Sequence, residues 1–311
     1  MPKETFEEMR EKMLASAKQG IKSAYSSEEY ALIQAMNAYL ETTKSMNLMY
    51  ERLTEWYGIY FPEIRMTSPK SLASLAVIMT GKDADQARIA DAIGDEGKAK
   101  SVYEKAMSTI GREMTDNERK ALIRFAEMTN DTISALEELE VYIKYAATKL
   151  MPNATYLTDE KIAAELLSKA GSLERLATMP ASTVQLLGAE KALFKHIKFG
   201  SKPPKYGVLF KFPAIGSAGR EMRGRIARAY ATKLCTALKA DYFTKKFIAD
   251  QLKKTLDETV ERIRASPPKP KPQAGQQERR FDRRRPQGHE GRQMGHGRQG
   301  RDRQRPRRRF N

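Results

Sequence analysis

Apolar residues recur at helical spacing through most of the first 264 residues, with little of the alternation that marks a strand. Ser26 and Glu29 form a predicted capping box. After it, Leu32, Met36, Tyr39, Thr43, Met46, Tyr50, Leu53 and Tyr57 follow at alternating four- and three-residue steps, the spacing of a coiled-coil seam. Gly58 and Pro62 end this helix within EWYGIYFPE. A second long helix opens at Thr115, with Glu118 three residues on, and carries Leu122, Ala126, Thr129, Ile133, Leu136 and Ile143 until Pro152 stops it. The pair predicts an antiparallel helical hairpin over 26–150. Between the two helices, residues 67–110 hold shorter helical pieces broken by Pro69, Gly81 and Gly94, a small cap at the far end of the hairpin. The aromatic and methionine positions of the seam read first as ordinary packing.

Residues 151–264 predict a compact helical domain. TDEKIAAELLSKAGS has helical spacing, with Gly171 as its C-terminal cap. A later helix places Ile226, Tyr230, Leu234 and Ala237 on one face, while Arg220, Arg223, Arg225 and Arg228 crowd its first turns. The last helix, about 244–264, uses Ile248, Leu252, Leu256 and Ile263 as its buried stripe. Residues 1–25 suffice for one short helix or a remnant of something larger. Residues 265–311, SPPKPKPQAGQQ followed by Arg, Gln, Gly and Pro, cannot bury enough apolar area to offset the entropy of ordering them and predict a disordered tail. The fold class expected is therefore all-α: hairpin, helical domain and Arg-rich tail.

Composition narrows the chemistry. The net charge is +17 over 311 residues, but 265–311 hold 15 Lys and Arg against 4 Asp and Glu, so +11 sits in the tail and +6 in the rest. A mildly basic folded part binds nucleic acid only if its cations cluster on one face. Arginine dominates the tail, and guanidinium pairs with phosphate and stacks on bases better than ammonium does. The single cysteine, Cys235, excludes an internal disulfide framework. His196 is the only histidine before the tail, which leaves no ligand set for a structural zinc. The sequence shows no apolar run long enough to span a membrane and no phosphate-binding glycine loop, and His196 has no nucleophile beside it. These features predict neither a membrane protein nor an enzyme, with no cofactor and no metal.

One stretch remains, LLGAEKALFKHIKFGSKPPKYG at 186–207. As a helix it lines Leu186, Leu193 and Ile197 along one side, with Leu187 and Phe194 adjoining, while Lys191, Lys195, Lys198 and Lys202 recur at 4-3-4 spacing. A cation ladder of this kind can meet successive phosphates. Gly200, Pro203, Pro204 and Gly207 then let the backbone approach closely while Lys205 adds charge. A lysine stripe is also what a solvated helix face looks like, and the Arg220–Arg228 cluster favours the binding reading if the two helices lie side by side.

LATMPASTVQLLGAEKALFKHIKFGSKPPKYGVLF, RGRIARAYATKLCTALKADYF and EWYGIYFPE together resemble the Nop-domain scaffold proteins of box C/D ribonucleoproteins, in the methylation-guide branch more than the spliceosomal one. The resemblance spans roughly 25–245. It implies a non-catalytic scaffold whose Nop domain binds a kink-turn guide RNA together with its kink-turn-binding protein. It also implies that the coiled coil pairs subunits, with a copy of itself or a paralogue, through Leu32, Met36, Tyr39, Met46, Tyr50 and Leu53. Gln185, Gly188, Ala189, Glu190 and Lys191 match the family's kink-turn surface, and Ala192, Leu193, Phe194 and Lys195 match the segment abutting the guide–substrate duplex. The RGRIAR arginines match its basic helix near the RNA stem. S-adenosylmethionine enters only through a partner, a fibrillarin-type 2′-O-methyltransferase. The domain that would dock it, about a hundred residues in the family, has only some 25 residues of counterpart before Ser26, which argues against its recruitment. The archaeal-like form implies a cytoplasmic protein, or a nucleolar one in a eukaryote. The rival expectation is a coiled-coil assembly protein whose basic tail alone touches nucleic acid.

Overall fold

The computed structural model describes residues 5–25, 27–81 and 85–266. Fourteen α-helices are present among them: α1 (Phe6–Tyr25), α2 (Glu28–Tyr57), α3 (Pro69–Ile78), α4 (Gln86–Ile93), α5 (Glu96–Met107), α6 (Asp116–Leu150), α7 (Pro152–Leu157), α8 (Glu160–Ala170), α9 (Leu173–Thr178), α10 (Ala181–Leu186), α11 (Glu190–Phe199), α12 (Pro213–Gly216), α13 (Arg223–Lys239) and α14 (Ala249–Ala265). A 3-10 turn at Val208–Lys211 and a π-helical turn at Ala240–Thr244 join them, and no strand occurs among the described residues. The chain is all-α. The tail expected to be disordered lies, from residue 267 on, outside the described residues, as does Ser26.

The long helices start and stop where local chemistry tells them to. Thr115 and Glu118 cap α6 reciprocally, the Glu118 backbone N–H donating to Thr115 Oγ1 and the Thr115 N–H to Glu118 Oε2. The N-cap of α2 is Ser27 rather than Ser26, its Oγ accepting from the Glu29 N–H. The Glu29 carboxylate reaches away instead to the Leu173 N–H at 2.9 Å, tying α2 to α9. Pro69 opens α3 rather than breaking it, since a missing N–H costs nothing in a helix's first turn.

α2 and α6 run antiparallel. Lys149 pairs with Glu28 at 2.5 Å near one end, Tyr39 donates to Glu140 at 3.4 Å further along, and Thr132 meets Met49 beyond that. Two apolar cores hold the ends of this hairpin. In the first, Leu32 and Met36 of α2 join Ile143 and Ala147 of α6 with α7–α10, α13 and α14. In the second, Leu53 and Tyr57 join Leu122 and Ala126 with α3, α4 and α5. Leu32, Met36 and Leu53 are at most 1% exposed within this single chain, and Tyr39, Met46 and Tyr50 are half-buried. The heptad spacing therefore closes the hairpin on itself. By contrast every described side chain of α1 is exposed.

Where the hairpin enters the helical domain, a buried polar junction locks it. The Asp241 carboxylate, 4% exposed, accepts from the backbone N–H groups of Asn153 and Ala154 at 3.0 Å and from Asn153 Nδ2 at 2.7 Å. Asn153 is itself fully used: Nδ2 also donates to Lys246 O, and Oδ1 accepts from the Ile248 N–H. Burial pushes the Asp241 carboxyl above its ordinary range, and the N–H groups it accepts from pull it part of the way back. α14 begins at Ala249, later than its spacing suggests, and its buried positions are Ala249, Leu256 and Val260, with Leu252 and Ile263 half-buried.

Because three donors would lose their acceptor in a dry site, Asp241→Ala should lower unfolding free energy by about 2–4 kcal/mol. Urea denaturation of the two proteins measures this.

Candidate nucleic-acid interface

Two backbone hydrogen bonds fold segment 185–208 back on itself. The Gly207 N–H donates to the Gln185 carbonyl at 2.9 Å and the Val208 N–H to that of Leu187 at 2.8 Å. The buried Gln185 side chain adds a third, from Nε2 to Lys205 O at 2.6 Å. A Cβ at Gly207 would lie 1.9 Å from the Leu187 carbonyl oxygen, so only glycine permits this approach.

The loop so closed displays α11. At its start the Gly188 N–H donates to Glu190 Oε1 at 2.6 Å; at its end Gly200 takes φ 65° and returns its N–H to His196 O at 2.9 Å. His196 Nδ1 bonds to Ser201 O, which fastens the following loop and gives this histidine a structural task. A ten-residue helix is marginal alone in water, so these end contacts matter to its existence.

The apolar side of α11 does not close over a core of its own chain. Leu187 is buried and Leu186 and Leu193 are half-buried, yet Phe194, Ile197 and Phe199 are each 71% exposed and no residue of α11 is buried. Val208 and Leu209, just past the closure, join Leu187 in the first core, which is complete without the helix. Leaving these three side chains in water forgoes about 1.5–3 kcal/mol of burial each. Clustered apolar exposure of that kind marks a contact surface.

Lys191, Lys195, Lys198 and Lys202 are all exposed. Helical spacing places Lys191 and Lys198 beside Phe194 on one flank and Ile197 on the other, so apolar and cationic groups share a face. Lys198 Nζ lies 5.5 Å from the centroid of the Phe199 ring. Ala189 is the N-cap of α11, with no side-chain bond to offer, and Glu190 is occupied with Gly188.

The second group of cations meets this segment through the loop rather than through α11. Gln185, Pro203, Pro204, Lys205, Arg225 and Arg228 line an open cleft of about 450 Å³, with Glu221 the acid beside them. The Lys205 stem runs along α13 so closely that a Cβ on Gly224 would lie 3.4 Å from it. Arg223 is differently employed: Nε donates to Ala218 O at 2.8 Å, and the guanidinium lies over Phe210, which stacks on Tyr206 at 4.8 Å. Arg223 therefore ties the start of α13 to Phe210 and Ala218 and, like Tyr206 and Phe210, lies outside the residues lining the cleft. Arg220 is exposed and lies outside the residues lining it. Sequence reasoning missed the Tyr206–Phe210–Arg223 stack; its one signal was the four-residue spacing of the two aromatics. The pair of Lys211 with the buried Glu165, at 2.6 Å, was likewise missed.

A family model named Nop, described as snoRNA binding domain, fibrillarin, matches residues 38–263. An uncharacterised NOP5 family protein of Methanocaldococcus jannaschii is 36% identical over 271 residues, 85% of this chain and 65% of that protein. Nucleolar protein 56 of Caenorhabditis elegans is 34% identical over 222 residues, 68% of this chain and 46% of that protein. Nucleolar protein 58 of Candida albicans is also 34% identical, over 68% of this chain and 42% of its own length. The chain thus spans under two thirds of each of these relatives. A solved fibrillarin–Nop5p complex contains a chain that is 22% identical, with a TM-score of 0.48, over 82% of this chain and 77% of that one.

Gly207→Ala should cost about 3 kcal/mol or more, because backbone must yield to backbone. Gly200→Ala, where nothing lies within 4 Å and only the left-handed φ is strained, should cost about 1–2 kcal/mol. Thermal and urea unfolding of the two variants side by side test this order.

Proposed function

Since the chain belongs to the Nop family, we propose that it is an RNA-binding scaffold subunit of a box C/D-type ribonucleoprotein, supporting guide-directed 2′-O-methylation of RNA without catalysing it. The observation that carries this reading is α11, a helix that buries nothing and presents Phe194 and Ile197 among lysines. Such a face suits an apolar contact with the end of a base-paired stem, while Lys191, Lys195, Lys198 and Lys202 meet phosphates. Lys205, Arg225 and Arg228 extend the cationic track along the neighbouring cleft. Gln185, Gly188 and Glu190 shape the turn that holds α11 out. In this reading they position the surface, and Lys191 and Phe194 touch the ligand.

The ligand is a kink-turn RNA already covered by its kink-turn-binding protein. Pairing with a second copy or a paralogue through the hairpin falls to its exposed positions, such as Leu48, Val141 and Tyr145, since Leu32, Met36 and Leu53 are enclosed within one chain. S-adenosylmethionine belongs to a fibrillarin-type partner. Two of the relatives carry nucleolar names, which favours the nucleolus for a eukaryotic chain; an archaeal chain would work in the cytoplasm.

Gel-shift titration of a chain ending at residue 266, with kink-turn RNA and with or without the kink-turn-binding protein, tests the reading. Binding should appear only when that protein is present. No binding in either arm would favour the rival in which the Arg-rich tail alone touches nucleic acid, and equal binding in both arms would contradict the composite protein–RNA surface. Replacing Lys191 and Lys195 by Ala should flatten the dependence of log affinity on log salt by up to about 0.9 per lost duplex phosphate contact. Phe194→Ala should weaken binding by about 1–3 kcal/mol. Its melting temperature should match that of the parent, because the ring is exposed.

A further inference from the structure

At the end of the hairpin away from α11, the segment joining α5 to α6 and the turn that closes α2 enclose a cleft of about 310 Å³. That volume falls within the range of small-molecule sites, roughly 300–1,000 Å³. Tyr60 and Phe61, both buried, form its floor, and Thr80, Arg112, Met114 and Arg119 stand in its walls.

The arginines differ in what they have. Arg112 pairs with Glu118 at 2.5 Å and lies over the Tyr60 ring. Arg119 is half-buried, its Nε is sealed from solvent, and that Nε has no hydrogen-bond acceptor among the described residues. Among the described residues, two nearby carboxylates are already engaged. Glu118 takes Arg112 and the N–H and hydroxyl of Thr115, which hold its pKa down at about 2. Glu63 takes the Ile110 N–H and the Thr109 hydroxyl. Glu113 is the acid in the lining, and it is exposed and forms no ion pair with Arg119. An Nε–H sealed from water without an acceptor carries an uncompensated desolvation cost, and the planar fork of a guanidinium suits the paired oxygens of a phosphate or carboxylate.

We propose that this cleft binds a small organic oxyanion, a phosphate- or carboxylate-bearing molecule held by the Arg119 guanidinium with Arg112 beside it, above the Tyr60–Phe61 floor. The site shares no residue with α11 or the 203–205 loop, so it stands or falls apart from the RNA-binding reading.

The test monitors the Arg119 Nε–H resonance of the full ¹⁵N-labelled chain, identified by its loss in Arg119→Met, during titration with inorganic phosphate, AMP and succinate. One saturating shift is expected, at millimolar concentration or below, and the backbone amides of Gly111 and Arg112, which line the cleft in both proteins, should report binding at least roughly tenfold weaker in Arg119→Met. Whichever probe binds tightest names the chemistry. The tail arginines respond alike in both proteins and so subtract out. Arg119→Met should melt no lower than the parent, because it removes an unsatisfied donor; Arg119→Lys, which keeps charge but loses the fork, repeats the comparison should the first variant melt lower. Glu113→Gln should tighten binding by removing an opposing charge. An Arg119 resonance unmoved by all three probes up to about 20 mM would overturn the proposal. So would a Glu113→Gln variant that melts lower without gaining anion affinity, since Arg119 would then serve Glu113.

Discussion

The return of the chain after α11, made by the Gly207 and Val208 N–H groups bonding to Gln185 and Leu187, is the constraint on which the candidate interface depends. It brings backbone against backbone at a distance only glycine allows. It also delivers Val208 and Leu209 into the core beside Leu187, and so completes that core without α11. The helix is left as an excursion pinned at both ends, by Glu190 on Gly188 at its start and by the Gly200 turn and the His196–Ser201 bond at its finish. Its apolar residues are free for a partner because the fold has no further use for them.

The hairpin supplies the larger geometry. An antiparallel pair with a core at each end behaves as a spacer: one core carries the helical domain and α11, the other carries the cap with its arginine-lined cleft. The Asp241–Asn153 junction fixes the first core to the hairpin end through donors and acceptors that leave neither side chain a free polar group. Buried polar networks that are fully satisfied specify one arrangement, so the direction in which α11 points relative to the hairpin is set there.

Local chemistry made much of the fold legible in the sequence. The Thr115–Glu118 box, the Gly171 cap and the seam from Leu32 to Tyr57 involve residues a few positions apart, and each falls where its spacing implies. The N-cap of α2 slipped by one residue because Ser26 and Ser27 are equivalent in sequence, and because Glu29 is drawn to Leu173, far along the chain. The outward face of α11 was not legible for a deeper reason: an amphipathic pattern says that a face wants burial and is silent on whether the burial is internal or in a partner. What decides it is competition from Val208 and Leu209, which becomes visible only once the loop is closed. Arg223 likewise looked equivalent to Arg225 and Arg228 until Phe210 and Ala218 were found to hold it.

Hydrogen–deuterium exchange on the full chain, alone and in complex with a kink-turn RNA and its kink-turn-binding protein, tests the central claim most directly. The account predicts that amides of 190–199 exchange quickly in the free protein, because α11 is held only by its ends, and become protected in the complex together with 203–205. Core helices such as α8 should be unchanged between the two states. Protection confined to residues beyond 266, with α11 exchanging as fast as before, would contradict it and leave the tail as the nucleic-acid contact.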